Sequence, residues 1–311
     1  MDLRGRGHRA DDTFRWFALA AAMVVLVVLG LIAFTMASRS GPVLGRMGLG
    51  FFTSTRWSPA DGEFGMLPFL WGTLYTATIA IVLAVPVSLG VALFITQVAP
   101  PWLKKPLVYV TDLLAVVPSV VFGLWGVLVL AAPIGDLYGK IHGLVGGIPV
   151  LGSIFGASPQ GRSFMTAGVI LAIMITPIVT SLAREVIETT PPSDKEAALA
   201  LGATRWEMIR ASVIPHSKGG LVGAVMLGLG RAMGETIAAA LVIGSSAQIA
   251  LNPFKSGDSM PAVIANQWGE ASDLQKSALI GLAVTLFAMT IIVNLIASRI
   301  VQRSMQKTRG K

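Results

Sequence analysis

The sequence predicts an all-α membrane protein with six transmembrane helices, and four observations lead there. Apolar residues make up 54% of the chain and charged residues only 13%, against about 25% charged residues in a soluble domain. The mean hydropathy is +0.73. Six apolar runs are each long enough to cross a hydrocarbon core roughly 30 Å thick. Lys and Arg are concentrated in alternate intervening segments, the asymmetry that sets topology in membranes.

Residues 1–15 are polar and Arg-rich, which predicts a disordered cytoplasmic tail. The first span follows at 16–38; the run is too long for a signal peptide, and no clear small-residue cleavage site follows it. Residues 39–65 are Gly-rich and polar, an external loop. From 66 to 300 the chain reads as a five-helix core, with spans at about 66–97, 107–130, 163–187, 219–243 and 277–300. Pro100 and Pro101 end the second span, and Lys104 and Lys105 mark a short internal loop. Residues 131–162 read as an external Gly/Pro-rich segment, and 301–311 as a basic cytoplasmic tail. Pro86, Pro118 and Pro177 fall inside predicted spans, where neighbouring helices satisfy the carbonyls that a kink frees.

With both termini inside, internal segments hold sixteen of the 24 Lys and Arg residues and external loops seven, while Arg231 lies within a span. That excess supports the orientation. It also accounts for the net charge of +8, since no basic stripe with interleaved aromatics points to nucleic acid. The absence of Cys excludes disulfides, thiolate metal sites and Cys nucleophiles. His8, His142 and His216 are isolated and read as lying outside the spans, so no metal site is expected.

Between the fourth and fifth spans lies a polar stretch, 188–218. Ser193 with Glu196, and Thr204 with Glu207, each place a hydroxyl and a carboxylate three residues apart, the spacing of a capping box. Gly202 stands where a left-handed residue would close the first helix. The expectation is a short Ala-rich helix, a Gly-hinged turn, and a second helix limited by Pro215.

Arg231 and Glu235 sit near mid-membrane in the fifth span. A lone charge there costs roughly 2.5–3.5 kcal/mol on insertion scales. Their i, i+4 spacing puts both on one helical face, where each partly neutralises the other. One reading is a buried ion pair locking helices together. The other is a pathway in which Arg231 offers its fork of donors to a passing oxyanion and Glu235 balances it when the path is empty.

Glu196-Ala197-Ala198, Gly202 and Pro215 resemble the EAA signature of ABC-importer permeases, with departures at Ser212 and Ile214. The resemblance implies a type I importer permease of MetI-like fold, whose loop docks on an ATPase subunit through Glu196, Ala197, Ala198 and Gly202. The run 231–236, Arg-Ala-Met-Gly-Glu-Thr, is similar to the RAxGET segment of phosphate-specific ABC permeases. Residues 64–73, 113–126 and 262–266 resemble the PstC-type subunit. Ser245 departs, standing where Asn is expected. The resemblance implies import of inorganic phosphate with a PstA-type second permease, two PstB-type ATPases and an extracytoplasmic PstS-type phosphate-binding protein. It implies no cofactor and no catalysis by this chain.

Asp112 reads equally as a pathway neighbour or as a group held by a helix N-terminus and by Lys104 and Lys105. Arg184 and Glu188 read as a solvated i, i+4 pair. Residues 135–141 only faintly match a phosphate loop, one residue short and with Ile141 in place of Ser/Thr. Alternatives are a permease for another oxyanion such as sulfate or molybdate, an ion-gradient-driven carrier, or a membrane scaffold in which the charged pair is structural.

Overall fold

The computed structural model describes residues 7–148, 152, 154–156 and 161–309, with side chains between residues 12 and 299. Helix α1 is Gly7–Arg39, followed by short helices α2 (Gly41–Met47) and α3 (Gly50–Thr53). A small hairpin, β1 (Trp57–Ser58) and β2 (Glu63–Phe64), precedes α4 (Leu67–Leu93), which runs on through a wide π-helical turn to Val98. Then come α5 (Pro101–Val116), α6 (Ser119–Trp125), α7 (Ala131–Val145) and α8 (Phe164–Glu188). Helices α9 (Pro192–Ala200) and α10 (Arg205–Met208) lead into α11 (Ile214–Gly234) and α12 (Ile237–Val242). Helices α13 (Met260–Gln267) and α14 (Asp273–Arg309) complete the chain.

Among the described residues, five helices are long and apolar enough to cross a membrane: 12–39, 67–98, 119–145, 164–188 and 273–299. Four lie where the sequence places spans. The third is displaced. Val117 is extended, with φ −59° and ψ 126°, so Pro118 breaks the chain instead of kinking it. The long helix therefore begins at Ser119 and takes in residues 131–145, which the sequence analysis assigned to an external segment. His142 thus lies inside that helix, its Nδ1 2.9 Å from the Phe155 carbonyl. The expected fifth span, 219–243, is split after Gly234. Residues 7–15 belong to α1 instead of forming a disordered tail, and the loop at 39–65 contains the two short helices and the hairpin.

The most buried long helix is α8, and its largest interface is with α4. Ala77, Ala80, Ala84 and Ser88 recur every three or four residues along α4 and are all buried. Such small side chains let two backbones approach closely in lipid, where dispersion replaces the hydrophobic effect as the force between helices. The Ser88 hydroxyl donates to the Thr176 carbonyl at 3.2 Å. One interhelical bond of this kind contributes about 0.6 kcal/mol, so the packing carries most of the interface. Gly220 and Gly228 bring α11 against Val186 and Val179 of α8 in the same way.

At the hairpin end, residues 244–259 rest on the first turns of α4. Trp71 Nε1 donates to the Ala250 carbonyl at 3.0 Å and the Tyr75 hydroxyl to Leu251 at 2.6 Å. A Cβ on Gly72 would collide with the Asp258 carbonyl oxygen, so only glycine allows this approach. Gly244 and Ser245 turn the chain with φ of 102° and 53°. Ser245 is the single non-glycine residue in the left-handed region among those described. Asn tolerates that region better than Ser does, which gives a physical reason for the Asn expected there.

Ser245→Asn is expected to stabilise the chain by up to about 1 kcal/mol, read as a raised thermal unfolding temperature in detergent. Burial pushes the Asp258 carboxyl up to about 7, with the Ser259 N–H at 2.8 Å acting in the opposite direction. Between its ordinary 3.8 and about 7 this group is protonated when folded and ionised when unfolded. Stability therefore falls as pH rises through that window and levels off above it. Asp258→Asn is expected to remove this slope from a thermal unfolding series taken from pH 4 to pH 8.

Candidate functional site

Residues 189–213 fold as a capped helix pair. Pro192 opens α9 in its first turn, where a missing N–H is harmless. The first expected capping box does not form. The N-cap position is Pro191, and the Ser193 hydroxyl donates to Asp194 at 3.4 Å. Gly202 adopts φ 86°. With it, Ala203 N–H reaches back to the Ala198 carbonyl at 3.2 Å, the long bond of a Schellman closure.

The second box forms in full. Glu207 N–H donates to the Thr204 hydroxyl at 3.3 Å, while Glu207 Oε2 accepts from Thr204 N–H at 2.7 Å. That backbone bond, and then the Thr204 hydroxyl at 2.8 Å, hold the Glu207 carboxyl below its ordinary range. Pro215 does not end the second helix. A wide turn at Ile209–Val213 accommodates the proline, and α11 continues from Ile214 to Gly234. Met208, Ile209 and Val213 bury against Ala92, Ala183 and Ile187, with Ala198 half-buried beside them. The other side of the pair is bare: Leu201 is 89% exposed, Trp206 62% and Leu199 45%. Glu196, Ala197 and Gly202 are exposed on the same loop.

Two ion pairs fasten α5 to the same end of the molecule. Lys104 Nζ lies 2.8 Å from Glu188 Oε1, and Arg184 lies 3.8 Å from Asp112 Oδ1. Asp112 also accepts from the Ser181 hydroxyl at 3.2 Å. The i, i+4 pair of Arg184 with Glu188 is thus replaced by two pairs to α5, and Asp112 serves as a clamp between helices. Sequence spacing gave no signal for this, because the partners are about 70 residues or more apart.

Arg231 and Glu235 are separated by the helix break. Gly234 ends α11, and Glu235 is extended with ψ 124°. Its Oε1 accepts from Ala238 N–H at 3.2 Å and so caps α12. A buried N–H without a partner is costly, and the carboxylate supplies one to Ala238. Among the described residues no ion pair joins Arg231 to Glu235, and the helical-face geometry expected for them is lost with the break. Arg231 is exposed and lines a groove of about 500 Å³ with Ile178, Gly223, Met226, Leu227, Gly230 and Asn294. Asn294, on α14, lies 63 residues from Arg231 and has no local motif that would mark it in the sequence.

Residues 84–309 match the family described as "Binding-protein-dependent transport system inner membrane component". The chain is 40% identical over 302 residues to the phosphate transport system permease protein PstC of Haemophilus influenzae, covering 97% of this chain and 96% of that one. It is 39% identical to phosphate transport system permease protein PstC 2 of Mycobacterium tuberculosis, covering 96% and 94%. Among solved structures, a bacterial alginate ABC transporter in complex with a pentasaccharide-bound periplasmic protein superposes with a TM-score of 0.61 at 15% identity, covering 94% and 96%. The inward-facing methionine ABC transporter MetNI gives 0.56 at 14% identity, covering 77% and 97%. At these identities the structures establish shared fold alone.

Proposed function

We infer that this chain, which belongs to the binding-protein-dependent transport system inner membrane components, is the membrane-spanning permease subunit of an ATP-driven importer of inorganic phosphate. The phosphate assignment draws on the full-length similarity to permeases named for phosphate transport. The observation that carries the mechanism is the Arg231 guanidinium, exposed in a groove and, among the described residues, paired with no carboxylate. A charge left this way at membrane depth is stable only if water, a partner or an anion answers it. A planar fork of N–H donors fits the oxygens of phosphate.

The chain itself breaks no bond. Its part is to bind weakly, to orient, and to open and close a path. The capped helix pair supports a second role, as the contact for an ATPase. Leu199, Leu201 and Trp206 are large apolar side chains left exposed on this loop, and an exposed Trp is a residue type in which interface hot spots are enriched. Its base is rooted on the ends of α4 and α8. The turn at 209–213 then continues without interruption into the helix that carries Arg231. Force applied at the loop is thereby transmitted along α11 toward the groove. By the distribution of Lys and Arg, the loop and both termini are cytoplasmic. The full assembly would contain a PstA-type permease, two PstB-type ATPases that hydrolyse ATP, and a PstS-type binding protein delivering phosphate from outside.

Two outcomes are expected in a host whose own phosphate importer is deleted. Arg231→Gln is expected to abolish labelled-phosphate uptake while the complex still purifies intact; normal uptake by that variant would refute the pathway role. Leu201→Glu places a charge on the bare patch of the loop. It is expected to lower phosphate-stimulated ATP hydrolysis and co-purification of the ATPase together, by about tenfold, because a charge is forced into an apolar contact.

A further inference from the structure

On the lipid-facing length of α14, Ile291, Ile292, Leu295 and Ile296 are exposed, as expected of a helix bathed in hydrocarbon. Asn294 interrupts them. It is exposed as well, and among the described residues its amide has no hydrogen-bond partner. An amide left unpaired in hydrocarbon is costly, so the surface around Asn294 is not an ordinary lipid contact. Asn294 lines the same groove as Arg231, and among the described residues these two are its only polar side chains.

The wall opposite is shaped to leave room. A Cβ added at Gly223 or Gly230 would meet nothing within 4 Å. These two positions line the groove and leave open space along α11 up to Arg231. Helical side chains lean toward the N-terminus of their own helix. Arg231 accordingly leans toward the end of α11 that begins at Ile214. That is the end at which α14 is completing its crossing, where Asn294 sits.

We propose that Asn294 is a second ligand for the phosphate in transit, completing with Arg231 a two-residue subsite in this groove. The inference rests on the phosphate reading given above and adds a role for a residue outside the RAxGET run. The chemistry of the two groups is complementary. Arg231 supplies N–H donors only, whereas an amide supplies two donors and an acceptor. Phosphate near neutral pH carries both charged oxygens and a P–OH group. The Asn294 carbonyl accepts from that hydroxyl while its NH₂ donates to a phosphate oxygen. Sulfate has no hydroxyl to offer, so the acceptor half favours phosphate over it.

The test uses the whole transporter reconstituted in proteoliposomes, with labelled phosphate taken up per ATP hydrolysed as the readout. Asn294→Ala is expected to lower that ratio by about tenfold, the effect of losing a hydrogen bond to a charged group. Stimulation of ATP hydrolysis by the loaded binding protein should persist. Asn294→Gln, which restores an amide, is expected to recover part of the ratio. An unchanged ratio in Asn294→Ala would overturn the subsite. So would a parallel loss of ATP hydrolysis and assembly, which would make Asn294 a contact between helices. If the unaltered transporter moves no phosphate, the phosphate reading itself fails, a result distinct from either of these.

Discussion

The Glu235 carboxylate on the Ala238 N–H is the contact that gives the site its shape. One membrane helix cannot end at depth and another begin without leaving carbonyls of the first and N–H donors of the second unpaired in hydrocarbon. Gly234 and the extended Glu235 end one helix there, and the side chain of Glu235 meets the donor that opens the next. The groove depends on this. A continuous helix from 214 to 243 would set Glu235 one turn above Arg231, and the two charges would neutralise each other. The break takes the carboxylate away for use by the backbone and leaves the guanidinium to the groove. Charge separation in the fifth crossing is thus a consequence of backbone hydrogen bonding.

The same demand for satisfied backbone recurs at the opposite end, with different residues answering it. There Gly202 closes α9 through a left-handed turn and Thr204 with Glu207 opens α10. Both devices are local and exposed, so the helix pair is rigid within itself while only its base is held by the core. From that base α11 runs 21 residues without a break, about 31 Å at 1.5 Å per residue. A displacement of the base is therefore delivered to the groove as tilt or translation of one rod. The clamps from α5, Lys104 on Glu188 and Arg184 on Asp112, hold α8 at the same level. They provide a fixed wall against which α11 can move.

Local chemistry made much of this legible in the sequence. The left-handed Gly202, the Thr204–Glu207 box and four of the long helices follow from spacing and hydropathy. The expected first box failed because Pro191 and Pro192 already supply the start of α9, leaving Ser193 inside the first turn. Pro118 read as a kink, but with Val117 extended it divides two helices. That shift moved the third crossing and absorbed a segment whose Gly content had marked it as loop. Hydropathy ran unbroken through Gly234, so the break in α11 was invisible to it. Asp112 was legible only in part and Asn294 not at all, for a common reason: what they face lies far away in sequence.

The groove is sparsely furnished, and for transport that is consistent with its task. A high-affinity anion site would surround phosphate with many donors and hold it. A permeation route instead needs attraction strong enough to admit the ion and weak enough to release it. On the reading proposed above, one guanidinium would offset much of the cost of bringing an anion to membrane depth, and one amide would add direction and selectivity. The carboxylate of Glu235 is committed to Ala238 in this conformation, so among the described residues no carboxylate is paired with Arg231. If the lever reorients α11, the cap at Ala238 is the bond most exposed to strain, since it joins the moving rod to α12.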